Sequence, residues 1–99
     1  MQSWYAERFE REMSCTVAVW RANLPGACRH WPLALGCDSA HVCFEPGILR
    51  LRWAGLPDLR IALLRMPRLQ VYFEFEQVGE PARHEFMHYF DLYMLRGGG

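Results

Sequence analysis

Between residues 41 and 76 the apolar positions recur at every second residue. Val42 and Phe44, Leu49 and Leu51, then Leu69, Val71, Phe73 and Phe75 alternate with His41, Cys43, Arg50, Arg52, Gln70, Tyr72, Glu74 and Glu76. A period of two marks a strand with one face buried and one face wet. Pro46-Gly47 suits the centre of a type II turn. A two-residue loop there sets Phe44 opposite Leu49, Val42 opposite Leu51, Cys43 opposite Arg50 and His41 opposite Arg52, which brings the apolar partners together. Ala54-Gly55-Leu56-Pro57 reads as a second turn. It leads to a strand with Leu59, Ile61 and Leu63 on one face and Arg60 on the other, and Arg65-Met66-Pro67-Arg68 then closes another hairpin.

The ends of the chain carry other patterns. Tyr5, Phe9 and Met13 recur every four residues behind a candidate cap at Ser3, which predicts a short N-terminal helix, or else the lead-in to a strand. From Met13 to Trp20 the period is two, so Met13, Cys15, Val17 and Val19 share a strand face. Asn23-Leu24-Pro25-Gly26 is a turn signal, and an extended segment from about Cys28 to Leu35 carries Pro32, the mark of an edge strand. After Pro81 the period becomes helical: Ala82, Phe86, Phe90 and Tyr93 form a stripe widened by Met87 and Met94, and Gly97 ends it. The predicted fold is α+β. Five or six antiparallel strands form a meander, as a sheet or a partly open barrel, with one C-terminal helix packed on it. The whole of residues 1–99 makes a single small domain with a flexible tail at 97–99.

Composition narrows the partners. Eleven arginines balance eleven acidic residues, with no lysine, so no whole-molecule field draws the chain to nucleic acid or an anionic membrane. The all-arginine usage is what a GC-rich bacterial genome produces. No apolar run approaches the roughly 20 residues a membrane span needs. The N-terminal residues have neither a basic start nor an apolar block, so a cytoplasmic location is expected. The four cysteines form no C-x-x-C pair, and a reducing compartment would keep them as thiols.

Three segments offer chemistry. His84-Glu85-Phe86-Met87-His88 resembles the H-E-x-x-H motif of zincin metallopeptidases over these five residues. That resemblance implies His84 and His88 as zinc ligands and Glu85 as general base. At about 100° per residue, however, both histidines fall opposite Phe86, on the side away from the buried stripe. Asp91 shares their face, so His84, His88 and Asp91 are the candidate metal set. Read without a metal, they are polar residues of an exposed helix face. The terminal Leu95-Arg96-Gly97-Gly98-Gly99 resembles the end of ubiquitin-like modifiers and sulfur carriers, which implies a carrier activated at its carboxylate; the plainer reading is a helix C-cap and a frayed end. Cys28, His30, Cys37, His41 and Cys43 are zinc-ligand types in sixteen residues, yet no two form the tight pair that structural zinc uses.

The fourth lead gathers residues from several strands. In the meander, Arg50, Arg52 and Arg60 point away from the core, with Tyr72 beside them. Arginine and an aromatic ring on one sheet face can hold an anion and stack a base; cross-strand pairing, with Arg60 opposite Glu74, is the competing reading. The order of elements from Leu69 to Leu95 also resembles the PilZ family of cyclic-dinucleotide receptors. That family's ligand signature is R-x-x-x-R followed by D/N-x-S-x-x-G. Here Arg8 and Arg11 stand one residue too close, and Asp38-Ser39 lacks the spacer and the glycine. The expected function is a non-enzymatic interaction domain, or an anion- or nucleotide-binding domain, using the arginine-rich face. The alternatives are a metal-dependent hydrolase and a tail-activated carrier. No cofactor is implied; a protein partner or self-association is expected, and an anionic small ligand is possible.

Overall fold

A computed structural model describes residues 4–97. The elements are β1 (Arg8–Met13), α1 (Val17–Cys28), β2 (Leu33–Leu35), β3 (Ser39–Cys43), β4 (Ile48–Ile61), β5 (Leu64–Glu76) and α2 (Glu80–Gly97). The strands form one open antiparallel sheet in the order β1-β5-β4-β3-β2. The α+β class with a C-terminal helix, read from periodicity, is therefore what the chain adopts. The candidate cap Ser3 and the tail residues Gly98 and Gly99 lie outside the described residues.

Both helices cover the same face of the sheet. Leu49, Leu51 and Trp53 of β4 and Leu69, Val71, Phe73 and Phe75 of β5 are buried beneath Trp20 and Leu24 of α1 and Phe86, Met87, Phe90 and Met94 of α2. The stripe on α2 is shifted from the expected one: Ala82 is exposed and Arg83 is buried in its place. Arg83 donates to the Tyr5 carbonyl at 3.0 Å and the Val78 carbonyl at 2.6 Å, so its cation is satisfied by backbone oxygens that tie the chain's start to the entry of α2.

The N-terminal third corrects the sequence reading. Tyr5, Phe9 and Met13 do not form a helix; Phe9 and Met13 lie on β1, at the sheet edge beside β5. The helix comes later, where alternation suggested a strand. Thr16 caps it by accepting from the Val19 N–H at 3.1 Å. Trp20, Leu24, Ala27 and Cys28 then share a buried side, while Val17 and Val19 stay exposed. The tryptophan needs a partner layer, which α2 supplies, and that packing outweighs local β propensity. Pro25-Gly26 falls inside the last turns of α1. A Cβ on Gly26 would stand 2.1 Å from the Tyr93 hydroxyl oxygen, so the glycine admits a close approach of the two helices rather than a turn.

Two hairpins also differ from expectation. In β3–β4, Val42 faces Leu49, Ala40 faces Leu51, His41 faces Arg50 and Ser39 faces Arg52. The register is moved by two residues because the loop takes four, Phe44 to Gly47, with a cis bond between Glu45 and Pro46. A shift of two leaves every side chain on its expected face. The second difference is larger. Residues 54–57 do not turn, and Arg65–Arg68 is not a loop. Instead β4 and β5 form one long hairpin that closes at Ala62-Leu63, where Ala62 has φ 54°. Between Leu56↔Arg68 and Leu59↔Met66 the β4 strand holds one extra residue, a β-bulge.

Among the described residues no further strand pairs with the end of this hairpin. β1 stops opposite Leu69 and β3 stops opposite Arg52, so residues 56–68 project as a two-stranded arm from a molecule 47 Å by 29 Å by 21 Å. The Trp53 N–H points to Asp38 across the β3 side, and the Phe75 N–H points to Glu7 across the β1 side. Counting by twos from each, Pro57 and Pro67 fall on the two free edges of the arm, where they remove a donor.

Gly47 gives a direct test of the loop. It sits at φ 114°, and a Cβ there would meet the Gln77 carbonyl oxygen at 2.4 Å. Gly47→Ala should lower stability by about 2–3 kcal/mol in urea unfolding; a change under about 0.5 kcal/mol would contradict this loop geometry.

Candidate functional site

The uncovered face of the sheet carries the predicted arginine lead. Its residues form cross-strand rows: Arg8, Glu74, Arg50 and His41 in one, and Glu10, Tyr72, Arg52 and Ser39 in the next. The Arg52 guanidinium lies 5.0 Å from the centre of the Tyr72 ring, a cation–π arrangement. Among the described residues Arg52 has no carboxylate partner. Arg50 is ion-paired to Glu76, and Arg8 to Glu74 at 3.2 Å. The two rows, without Glu76, line an open depression of about 620 Å³.

Arg60 does not join them. It sits on the arm opposite Arg65, and the bulge places it on the helix-side face, away from Arg50 and Arg52. The sequence reading puts Arg60 on a separate strand after a turn at residues 54–57; β4 instead runs straight through those residues, and the one residue inserted after Leu56 sets Arg60 on the opposite face from Arg50 and Arg52. The same inversion brings Leu59 and Ile61 to the outer face, beside Leu64 and Met66 of β5. Glu74 therefore pairs with Arg8, and its cross-strand neighbours are Arg8 and Arg50.

The metal candidates are split between two environments. His84 and His88 stack on one side of α2 with ring centres 5.8 Å apart. Asp91 points to β1 instead. Its carboxylate accepts from both terminal guanidinium nitrogens of Arg11, Nη1 and, at 3.1 Å, Nη2, and from the Tyr5 hydroxyl at 2.7 Å. Two side chains thus satisfy both of its oxygens, with a bidentate contact from Arg11 that locks α2 to β1. Among the described residues no group of three or more His, Cys, Asp or Glu is placed to hold a metal ion. In the cysteine–histidine cluster, Cys28 is buried while Cys37 and Cys43 are exposed, and the His30 ring lies on Trp31 at 4.3 Å. Leu95 and Arg96 of the tail motif belong to the last turn of α2, and neither helix is long and apolar enough to cross a membrane.

The titrating groups report burial. The Tyr5 phenol is fully buried, and desolvation first, then the hydrogen bond and charge of Asp91, push its pKa up to about 12. Burial pulls the Arg11 pKa down, but the Asp91 hydrogen bond and charge outweigh it and the net value is raised. Desolvation also raises the Cys15 thiol and lifts Cys28 to about 12, which makes both poor nucleophiles.

The exposed arm is the feature the sequence reading missed. Leu59, Ile61, Leu63, Leu64 and Met66 are all exposed. The available signal was the nearly unbroken apolar run Ile61-Ala62-Leu63-Leu64 between two prolines, which a meander has no reason to place at a tip.

Two measurements check these environments. In the unfolded chain a phenol releases its proton near pH 10, whereas Tyr5 holds it to about 12. Its contribution is complete below pH 10 and is lost as pH rises toward 12. About 2–3 kcal/mol should disappear over that window, and Tyr5→Phe should remove that share while costing about 1.5–2 kcal/mol at neutral pH. Slopes identical in variant and wild type would refute the buried phenol. At pH 8 a thiol reagent should label Cys37 and Cys43 rapidly, and reach Cys15 and Cys28 only on unfolding.

Comparison with protein-family models, with curated proteins and with solved structures finds no match to this chain.

Proposed function

We propose that this chain is a non-enzymatic interaction domain, in which a two-layer body presents the β4–β5 arm to a partner. The carrying observation is the apolar surface of the arm. Leu59 is 42% exposed, Ile61 55%, Leu63 102%, Leu64 66% and Met66 38%. This amounts to about three whole side chains, and covering them would contribute roughly 5–9 kcal/mol. A free two-stranded ribbon is marginal in water without a covering layer, and contiguous exposed apolar side chains mark contact sites.

A second reading has its own observation. Arg52, stacked on Tyr72 with no carboxylate partner among the described residues, is suited to a small planar anion, with Ser39 and His41 beside it. Glu10, Glu74 and Glu76 on the same face limit the charge such a ligand can carry.

Threonine at Leu59, Ile61 and Leu64 keeps strand propensity while making the arm polar. At the lowest concentration that fluorescence of the four tryptophans allows, the triple variant should match wild-type unfolding energy within about 0.5 kcal/mol. A loss of about 2–5 kcal/mol, the range of core truncations, would show that the arm serves the fold and would end this reading. For the second reading, benzoate, a planar monoanion, titrated at low salt should perturb Arg52 and Tyr72 resonances, and Arg52→Ala should weaken binding about tenfold or more. Unmoved resonances would dismiss it.

A further inference from the structure

We infer that the partner of the arm is a second copy of this chain: two arms lay their outer faces together about a two-fold axis. This rests on the interaction-domain reading and names the occupant of its surface. Pairing edge to edge is blocked on both sides, because Pro57 and Pro67 each replace an outward N–H. What remains available is the face. Leu59 and Ile61 of β4 and Leu64 and Met66 of β5 lie together on it, through the bulge, with half-buried Leu56 at the base. Two such faces stacked at about 10 Å make a small β-sandwich. With the arms antiparallel, the fully exposed tip Leu63 covers the base of the other arm.

Charge selects a copy over other occupants. On the outer face beside the arm, Arg68 pairs with Glu12 at 3.1 Å, Arg8 with Glu74 and Arg50 with Glu76. With Arg52 and Glu10 included, that face carries Arg8, Arg50, Arg52 and Arg68 against Glu10, Glu12, Glu74 and Glu76, so the flank is neutral, as is the whole chain; two copies approach without repulsion and no net field draws a strongly charged partner. A lipid surface fits less well. Of the two arginines on the face opposite the apolar one, Arg65 is paired with Asp58 at 3.7 Å, which leaves Arg60 as the arm's one cation without a carboxylate among the described residues, where binding to an anionic lipid surface draws on a cluster of several. An isologous contact requires one self-complementary patch with a polar rim, and the arm has that form.

Sedimentation equilibrium of the full chain tests this. Wild type should be dimeric at about 10 µM and above, a micromolar affinity or better. Leu59→Ser with Leu64→Ser, each counted twice across the axis, should weaken the dimer about a hundredfold or more with an unchanged circular dichroism spectrum. Met66→Ser alone provides the same test at smaller amplitude if the double variant fails to fold. Arg60→Ala with Arg65→Ala, on the opposite face, should leave the dimer intact. Equal loss in that arginine pair overturns the face-to-face arrangement. A wild type that stays monomeric at about 100 µM overturns self-association, and the dilute unfolding comparison of the threonine variant then still decides whether the arm is an interaction surface. A monomer that co-sediments with phosphatidylcholine vesicles, and ceases to when Leu59 and Leu64 are serine, overturns it in favour of a lipid surface.

Discussion

Phe86 and Phe90, one turn apart on α2, hold the body together. Phe86 meets Trp31, Phe44 and Phe75 with ring centres 5.2, 5.4 and 6.4 Å away, all steeply inclined. Phe90 meets Trp20 at 6.0 Å and Phe73 at 5.7 Å in the same manner. Through two side chains the helix thus touches α1, the approach to β2, the β3–β4 loop and β5. Edge-to-face contacts of this kind add about 0.5–1.5 kcal/mol each beyond area burial, but their larger effect is geometric. They commit both helices to one face of the sheet and leave the other face to solvent. Every functional lead on the sheet follows from that one-sidedness: Arg52 and Tyr72 are available only because nothing needs to cover them.

The Arg11–Asp91–Tyr5 cluster sets the remaining degree of freedom, the rotation of α2 about its own axis. Arg11 sits on the helix side of β1, its guanidinium within 6 Å of the rings of Tyr5, Phe9 and Phe73. A cation in that aromatic setting needs a carboxylate, and Asp91 is the residue α2 turns toward it. The chemistry that would make Asp91 a third metal ligand is spent on this contact. His84 and His88 are left as a stacked pair with Tyr5 on one flank, so the H-E-x-x-H pattern here describes the spacing of a helix face whose neighbour is a half-buried ion pair.

How much of this could be read in advance depends on where side-chain periodicity is decided locally. The alternation of Leu49, Leu51, Phe73 and Phe75 and the helical stripe of Phe86 and Phe90 reflect burial against a single layer, so the sheet, its faces and the last helix were legible. α1 was not. Met13 to Val19 alternates, but the decisive residues are Trp20 and Leu24, and their burial depends on α2, some sixty residues away in sequence. The β3–β4 register missed by two for a similar reason: Phe44 leaves the strand to reach Phe86, a contact no local pattern contains. In the candidate site, Arg50, Arg52 and Tyr72 were placed together from period two alone. Arg60 was misplaced because Ala54-Gly55-Leu56-Pro57 looks like a turn in one dimension, whereas in three the strand continues through it and bulges just beyond Leu56.

That bulge is where sequence, fold and function meet most closely. Without the extra residue, β4 would carry Leu59 and Ile61 on the helix side, continuing Leu49, Leu51 and Trp53, while Leu64 and Met66 faced outward with Arg60. Each face of the arm would then mix apolar side chains with arginine, and neither could form a continuous contact. With the bulge, four apolar side chains collect on one face and the Arg60–Arg65 pair on the other. The inserted residue costs ladder hydrogen bonds, and the arm adds nothing to the core, so folding alone gives no reason for an amphipathic ribbon of this length. Prolines on both free edges add to the case, since they suppress indiscriminate strand addition while leaving the face untouched. A sorted face with blunted edges is what a specific contact requires and what a merely tolerated loop would lack.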